Sequence, residues 1–376
     1  MRLRRVSKFS KAVTKDLLPT QQATIAQVTC GMLVAQCMLL AEIARHLETT
    51  VKFAHNLKRV FRFADNPRLS ARPDPALDQQ PLTAQQKVAR RQIHHLRRRL
   101  RLQPYQPLEI ILDWTSVGEF QALSALVGVE GRAVPVLQWS VRKWELKRSQ
   151  NAFEYEMLRA LRRIIPRSAP TVIVADRGFG RTELFRFLDE LGFLYCIRIT
   201  GNAWVKFSGY EGALKEYAVS MGQTFKLSRV AYHKKQGYGL KLVITCARIE
   251  GKVSTWLLAT NMKGTARQLV DIYRRRFWCE EDFRDLKQAF KLEKVRVKSA
   301  QHLDVLLMAL AIVIYLLAVL GVRAEKLGYA TQFATPKKGT RTLSWCHLAL
   351  DLLKQSPKHL DLLFNAQSGV FQLRWA

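Results

Sequence analysis

An α/β core with helical regions on either side is the fold class that this 376-residue sequence predicts. Three observations support it. The first 65 residues have helical periodicity, residues 104–200 alternate between strand and helix patterns, and residues 201–260 contain short alternating segments separated by glycine-containing turns.

Residues 1–65 are predicted to form a helical DNA-binding domain. Residues 21–46 carry one long helical pattern, and residues 39–63 have the proportions of a helix-turn-helix motif. Its second helix carries Lys58 and Arg59, which would enter a DNA groove. A plain helical hairpin with a solvated basic face fits the same residues, because the turn contains no glycine, and both interpretations stay open.

Residues 66–103 are predicted to be a linker followed by a basic helix. Pro67, Pro73 and Pro75 indicate the linker. The helix, at 87–101, carries cations that no neighbouring carboxylate offsets: Lys87, Arg90, Arg91, Arg97, Arg98, Arg99 and Arg101. A helix of this kind typically binds along the phosphates of DNA. The candidate phosphate contacts are Arg90, Arg91, Arg97 and Arg98.

The core is predicted in two parts, at 104–200 and 261–324, separated by a β-rich insertion at 201–260. The first part contains strands at 108–112, 121–128, 132–142, 171–175 and 194–200, and helices at 152–165 and 182–191. The insertion contains strands at 203–207, 224–232, 240–247 and 253–260. Residues 325–376 are predicted to be a C-terminal helical region.

The charge of the chain predicts a polyanionic partner. Lys and Arg number 61 against 30 Asp and Glu, a formal charge of +31, and nucleic acid is a better candidate than an anionic membrane. The six cysteines form no CxxC pair, which favours buried free thiols. The uncharged stretch 305–322 is barely long enough to span a membrane, so we favour a buried core helix.

Two aspartates follow predicted buried strands. Asp113 ends the strand at 108–112, and Asp176 ends the strand at 171–175. Ligands and catalytic groups collect at such strand ends in α/β sheets. Taken singly, either aspartate is better explained as a helix N-cap or a turn residue.

Residues 271–290 contain no glycine or proline and are predicted to form one helix. A rotation of about 100° per residue gives one apolar stripe: Ile272, Cys279, Phe283, Leu286 and Phe290. Beside that stripe lies a polar edge with a single carboxylate: Tyr273, Arg276, Glu280, Arg284 and Lys287. The edge fits a solvated face with i, i+4 ion pairs, or a site that includes Glu280.

Asp113, Asp176 and Glu280 together make a candidate metal site. Converging carboxylates repel one another unless a cation lies between them. Oxygen ligands without His or Cys select Mg²⁺, with Mn²⁺ as a substitute. Two such ions can activate a water or hydroxyl and stabilise the leaving oxygen of a phosphodiester.

The motifs resemble those of a known family. Tyr273, Arg276, Glu280 and Lys287 have the spacing of the Y-R-E-K signature of the DDE transposases of bacterial insertion sequences, and Asp113 and Asp176 resemble that family's first two carboxylates. The resemblance covers about 104–321. It implies a ribonuclease H-like catalytic core interrupted by a β-rich insertion, in which Asp113 would bridge both ions.

The resemblance also implies DNA contacts. Arg276 and Lys287 would hold phosphates near the cleaved end, Tyr273 would contribute nearby, and Arg284 lies on the same edge. Trp256 occupies the place of a family tryptophan that stacks on a flipped base. A tryptophan on a strand is, however, commonly a core residue.

These features predict a transposase that cuts the inverted repeats at the ends of its element as a homodimer and joins them to target DNA. The expected location is the bacterial cytoplasm, associated with the nucleoid and not with a membrane. The alternative is a non-catalytic DNA-binding inhibitor of transposition.

Overall fold

The computed structural model describes residues 3–73, 80–146, 149–249, 252–333 and 343–355. Its helices are α1 (Leu3–Val13), α2 (Pro19–Ala35), α3 (Leu40–Arg45), α4 (Phe53–Ala64), α5 (Pro67–Ser70), α6 (Ala84–Arg99), α7 (Gln150–Ile164), α8 (Thr182–Glu190), α9 (Ala266–Arg274), α10 (Trp278–Ala289), α11 (Ala300–Lys326) and α12 (Trp345–Gln355). Its strands are β1 (Leu108–Val117), β2 (Phe120–Val129), β3 (Arg132–Arg142), β4 (Thr171–Ala175), β5 (Leu194–Arg198), β6 (Trp204–Phe207), β7 (Tyr210–Ala213), β8 (Thr224–Tyr232), β9 (Tyr238–Ile249) and β10 (Lys252–Thr260). The fold is mixed α/β with a large sheet, which confirms the predicted class at this level.

The chain divides into two compact units. The first comprises Met1–Leu102, Trp114–Ile165 and Glu280–Ala376, and the second comprises Gln103–Asp113 and Pro166–Cys279. The chain therefore passes from one unit to the other within β1 and again within α10. The domain boundaries predicted from the sequence stay predictions.

The second unit is built on a sheet in which β1, β4, β5, β10, β9, β8, β6 and β7 are neighbours in that order. β4 pairs in parallel with β1 and β5, whereas β10 pairs antiparallel with β5 and β9. All five residues of β4 are buried, as is usual for a strand of a parallel sheet that is covered on both faces.

Strand predictions hold best where turn residues delimit them. The predicted strands 132–142, 171–175 and 224–232 coincide with β3, β4 and β8. The strand β7 was not predicted, because its four residues include Gly212 and show no apolar alternation. The predicted end of the first strand is wrong, since β1 continues past Asp113 to Val117.

The first unit is organised around α11. The helix packs against α2, α4, α12 and β3. It is long and apolar enough to cross a membrane by length and composition, yet its most apolar 18-residue window is buried throughout within the fold. At Gly321 a Cβ atom would lie 1.9 Å from the carbonyl oxygen of Trp345, so the contact between α11 and α12 requires glycine.

Several predicted helices are interrupted. The single helix predicted at 21–46 is wrong, because α2 ends at Ala35 and Gln36 has a left-handed φ of 47°. The helix predicted at 271–290 contains a 3-10 turn at Arg275–Phe277 between α9 and α10. The predicted linker contains the short helix α5, and its Pro75 lies outside the described residues, as do 334–342 and 356–376 of the predicted C-terminal region.

Candidate active site

Asp113 and Asp176 lie at adjacent positions in the second unit. The parallel ladder between β1 and β4 ends with Leu112 opposite Ala175. Asp113 is the next residue within β1, and Asp176 is the residue that follows β4. Neighbouring strands are about 4.8 Å apart. The prediction that each aspartate ends a strand therefore holds for Asp176, whereas Asp113 lies within β1, and their joint role in a metal site stays a prediction.

Asp176 also has the capping role that its sequence context allows. Its Oδ1 accepts a hydrogen bond of 2.9 Å from the backbone N–H of Gly178, and it is the N-cap of the 3-10 turn Arg177–Phe179. The cap fixes the direction of the carboxylate. The structural and the proposed catalytic roles are therefore compatible, because the cap is formed by one oxygen.

Asp113 receives two side chains on one carboxylate oxygen. Its Oδ2 lies 3.1 Å from the Cys279 Sγ and 3.5 Å from the Arg276 Nη1. The Asp113 side chain is 17% exposed and that of Arg276 is 9% exposed. In this structure, Arg276 is thus a partner of the first carboxylate, whereas the sequence predicted that it holds phosphate.

Arg276 and Cys279 contact the same atom from positions three residues apart. Arg276 belongs to the 3-10 turn at Arg275–Phe277, and Cys279 is the second residue of α10. Side chains three residues apart lie on the same side of a helical stretch. A cation and a thiol therefore face the same carboxylate oxygen.

Tyr273 and Trp256 are buried together in the second unit. The Tyr273 ring meets the Trp256 ring edge-on at 5.1 Å, and the Phe277 ring stacks on Trp256 at 5.5 Å. The exposed fractions of Tyr273 and Trp256 are 1% and 2%. Burial raises the pKa of Tyr273 to about 12, although the nearby Arg276 and Arg198 oppose the shift. Both side chains are part of the core here, and base stacking on Trp256 stays a prediction.

The other residues of the predicted polar edge belong to the first unit. Glu280 is exposed. Arg284 pairs with Glu281 at 2.8 Å, and Lys287 Nζ lies 3.5 Å from Glu293. The i, i+3 pair of Arg284 is the ordinary surface arrangement for a helix.

The basic helix α6 is partly neutralised. The prediction that no carboxylate offsets its cations is wrong, because Asp16 from the α1–α2 connection pairs with Arg91 at 2.5 Å and with Arg90 at 3.0 Å. The hydrogen bond from Arg91 lowers the pKa of Asp16 to about 2. Burial lowers the pKa of Arg97, which is half-buried, while Arg98 is exposed.

The second helix of the predicted helix-turn-helix motif is α4. Lys58 is exposed there, and Arg59 Nη1 donates to the Gln27 side chain at 3.2 Å. The preceding helix, α3, has only six residues. The groove-binding role of Lys58 and Arg59 stays a prediction.

The structure brings together Asp113 and Asp176 but no larger ligand set. Among residues 3–73, 80–146, 149–249, 252–333 and 343–355, no group of three or more His, Cys, Asp or Glu side chains is arranged to hold a metal ion. Two carboxylates at adjacent strand ends fit a hard divalent cation in the chemistry of their donor atoms. The assignment of Glu280 as the third ligand stays a prediction.

A basic cleft of about 600 Å³ lies in the second unit. Arg177, the residue after Asp176, lines it together with Arg198, Lys215 and Tyr217. Among the described residues that line the cleft, three are cations and none is a carboxylate. The cleft therefore has the charge to bind a polyanion directly beside Asp176. No pattern in the sequence indicates the cleft, because its cations are far apart in the chain.

A buried ionic cluster in the first unit was also missed. Asp282 and Asp285 belong neither to the predicted apolar stripe nor to the predicted polar edge, yet they are 2% and 5% exposed. Arg132 from β3 donates to Asp285 at 3.1 Å, and His347 from α12 lies 3.4 Å from it. Burial, reinforced by the charge of Asp285, raises the pKa of Asp282 well above its usual range. Asp285 therefore ties the second face of α10 to β3 and α12.

Comparison with known proteins finds a similarity over part of the chain. No curated protein matches the chain. Residues 146–316 match the family model described as the transposase DDE domain, a segment that includes Asp176 and Glu280 and begins after Asp113. This segment of the chain is therefore similar to a transposase DDE domain.

Proposed function

We propose that this protein is a DDE transposase that cleaves DNA strands at the ends of an insertion sequence and joins them to target DNA. The observation that carries the proposal is the adjacency of Asp113 and Asp176 at the end of the β1–β4 ladder, within a chain whose residues 146–316 match a transposase DDE domain. The formal charge of +31 supports DNA as the partner.

Asp113 and Asp176 are the proposed ligands of two Mg²⁺ ions, with Glu280 as the third carboxylate. The first two fit the role because both carboxylates directly follow the last residue pair of the β1–β4 ladder, and carboxylate oxygens suit a hard cation. Glu280 is included on the strength of its sequence spacing from Tyr273, Arg276 and Lys287. When bound, the ions would supply positive charge that stabilises a phosphodiester under attack.

Basic residues of the second unit would bind and orient the DNA. The cations of the basic cleft can contact phosphates that lie next to Asp176. Arg276 is 3.5 Å from Asp113, so it can contact a phosphate only close to that carboxylate. We also propose a ribonuclease H-like core, an N-terminal DNA-binding region that uses α4 and α6, and a homodimer acting in the cytoplasm. The core, the homodimer and the location rest on the sequence resemblance, whereas the DNA-binding region rests on the basic residues of α4 and α6.

The proposal is tested with Asp113→Asn, Asp176→Asn and Glu280→Gln. The substrate is a plasmid that carries the gene with its natural flanking DNA, and the measurements are strand cleavage with Mg²⁺ or Mn²⁺ and DNA binding. Each variant should lose cleavage and keep binding, because a neutral side chain binds the cation poorly. Asp271→Asn is the matched control, since Asp271 pairs with Arg274 on the surface of α9.

Retained cleavage in any of the three variants would remove that residue from the site. DNA binding by the wild-type chain without any cleavage would favour the alternative, a non-catalytic inhibitor of transposition. Recovery of the protein only with detergent after cell fractionation would contradict the proposed location.

A further inference from the structure

The thiol of Cys279 lies against the first candidate metal ligand. Its Sγ is 3.1 Å from the Oδ2 of Asp113, within the range of a hydrogen bond from sulfur. Cys279 is completely buried. The packing around this buried thiol therefore fixes both its position and the direction of the hydrogen bond that it can donate.

Arg276 and Cys279 contact the same oxygen of Asp113, but the guanidinium is charged and the thiol is neutral. The Arg276 guanidinium brings a full positive charge to within 3.5 Å of Oδ2. Such a charge competes with any cation that binds to the carboxylate. The thiol is a neutral donor, so it can restrain the oxygen without repelling a cation.

We propose that Cys279 is a positioning residue for Asp113, and that its S–H group orients the carboxylate for cation binding. The inference rests on the proposed function, because it assumes that Asp113 holds the metal. An outer hydrogen-bond partner of a ligand fixes the ligand's orientation and raises the affinity for the metal. Cys279, which would fix the orientation of the Asp113 carboxylate, immediately precedes the candidate ligand Glu280 in the chain.

The local backbone explains why this residue can reach Asp113. Arg276, in the 3-10 turn at Arg275–Phe277, and Cys279, the second residue of α10, are three residues apart and lie on the same side of the helical stretch. Cys196 provides a contrast within the same unit. It is equally buried, but its Sγ donates to the backbone carbonyl of Leu269 at 3.6 Å and not to a carboxylate.

The first experiment measures the affinity of the full-length protein for Mn²⁺ alone, from the electron paramagnetic resonance signal of the free ion. Cys279→Ala should weaken binding by about tenfold, the low end of what the loss of an outer partner costs. Cys279→Ser should recover most of the affinity, because a hydroxyl can donate the same bond. Cys196→Ala, which also removes a buried thiol, should leave the affinity unchanged.

The second experiment needs neither metal nor activity. The S–H stretching band of Cys279, obtained as the infrared difference between wild type and Cys279→Ser, should shift when Asp113 is replaced by Ala. It should not shift in Asp271→Asn. Circular dichroism of each variant shows that the comparison is made between folded proteins.

The outcomes separate the two hypotheses. A wild-type chain that binds no Mn²⁺ would overturn the proposed function. An S–H band that does not respond to Asp113→Ala would overturn the contact between thiol and carboxylate. Equal Mn²⁺ affinities for Cys279→Ala and Cys196→Ala would overturn the positioning role even if the proposed function stands.

Discussion

The basic cleft makes a quantitative prediction about DNA binding. Arg177, Arg198 and Lys215 line it without a carboxylate among the described lining residues. Each cation that neutralises one phosphate adds about 0.9 to the slope of log affinity against log salt concentration. If all three contact DNA, the triple alanine variant should lose up to about 2.7 from that slope.

The assay is the binding of a mixed-sequence duplex at several salt concentrations. Over an approximately fourfold rise in salt, a slope difference of about 2.7 makes the wild type lose about 40-fold more affinity than the variant. Lys206→Ala is the control, because Lys206 belongs to the same unit, is exposed and pairs with Glu211 at 2.8 Å. A triple variant with the wild-type slope would show that the cleft does not contact phosphate.

Two further predictions concern the stability of the first unit. Arg72→Ala should cost about 3–5 kcal/mol at pH 8, because it leaves the buried carboxylate of Asp304 without its cation. Burial raises the pKa of Asp304 to about 6, so the cost should shrink at pH 5, where that group is mostly neutral. Urea unfolding at the two pH values measures this, with Arg68→Ala, an exposed arginine, as control. The hydrogen bond to Asp285 raises the pKa of His347. The contribution of protonated His347 to the free energy of unfolding is therefore complete below its ordinary pKa of about 6.5. It is lost as pH rises through the pKa of His347 in the folded state. His347→Gln should remove this part of the pH dependence of thermal unfolding, and an unchanged profile would contradict the role of the contact.

The sequence predicted one face of the helical stretch 271–290 well. The apolar stripe of Ile272, Cys279, Phe283, Leu286 and Phe290 is buried at every position. The 3-10 turn within it was invisible to the sequence, because Arg275, Arg276 and Phe277 include no helix-breaking residue. Three residues at about 120° each, in place of about 100°, rotate α10 by only about 60° relative to α9, so the stripe survives.

The opposite face of α10 could not be predicted from its own sequence. A helical pattern identifies one buried side, whereas Asp282 and Asp285 are buried by partners that are remote in the chain. Arg132 and His347 come from β3 and α12. The same limit explains why the sequence did not predict that Asp16, in the α1–α2 connection, pairs with Arg91 of α6. In each case, tertiary contacts determine which charges meet.

The contact between Arg276 and Asp113 leads to a last prediction, which has opposite signs in two assays. The guanidinium lies 3.5 Å from the carboxylate, and both side chains are largely buried. Arg276 therefore competes with a divalent cation for Asp113, and its removal in Arg276→Ala should strengthen Mn²⁺ binding. The same variant should cleave DNA more slowly if Arg276 transfers to a phosphate when the cation binds, because that contact would be lost.

Arg274→Ala is the control, since Arg274 pairs with Asp271 on the surface of the same helical region. Cys279→Ala is expected to weaken Mn²⁺ binding, so the two partners of one oxygen should shift the affinity in opposite directions. Weaker Mn²⁺ binding in Arg276→Ala would mean that Arg276 only orients Asp113, as Cys279 is proposed to do, and does not exchange partners.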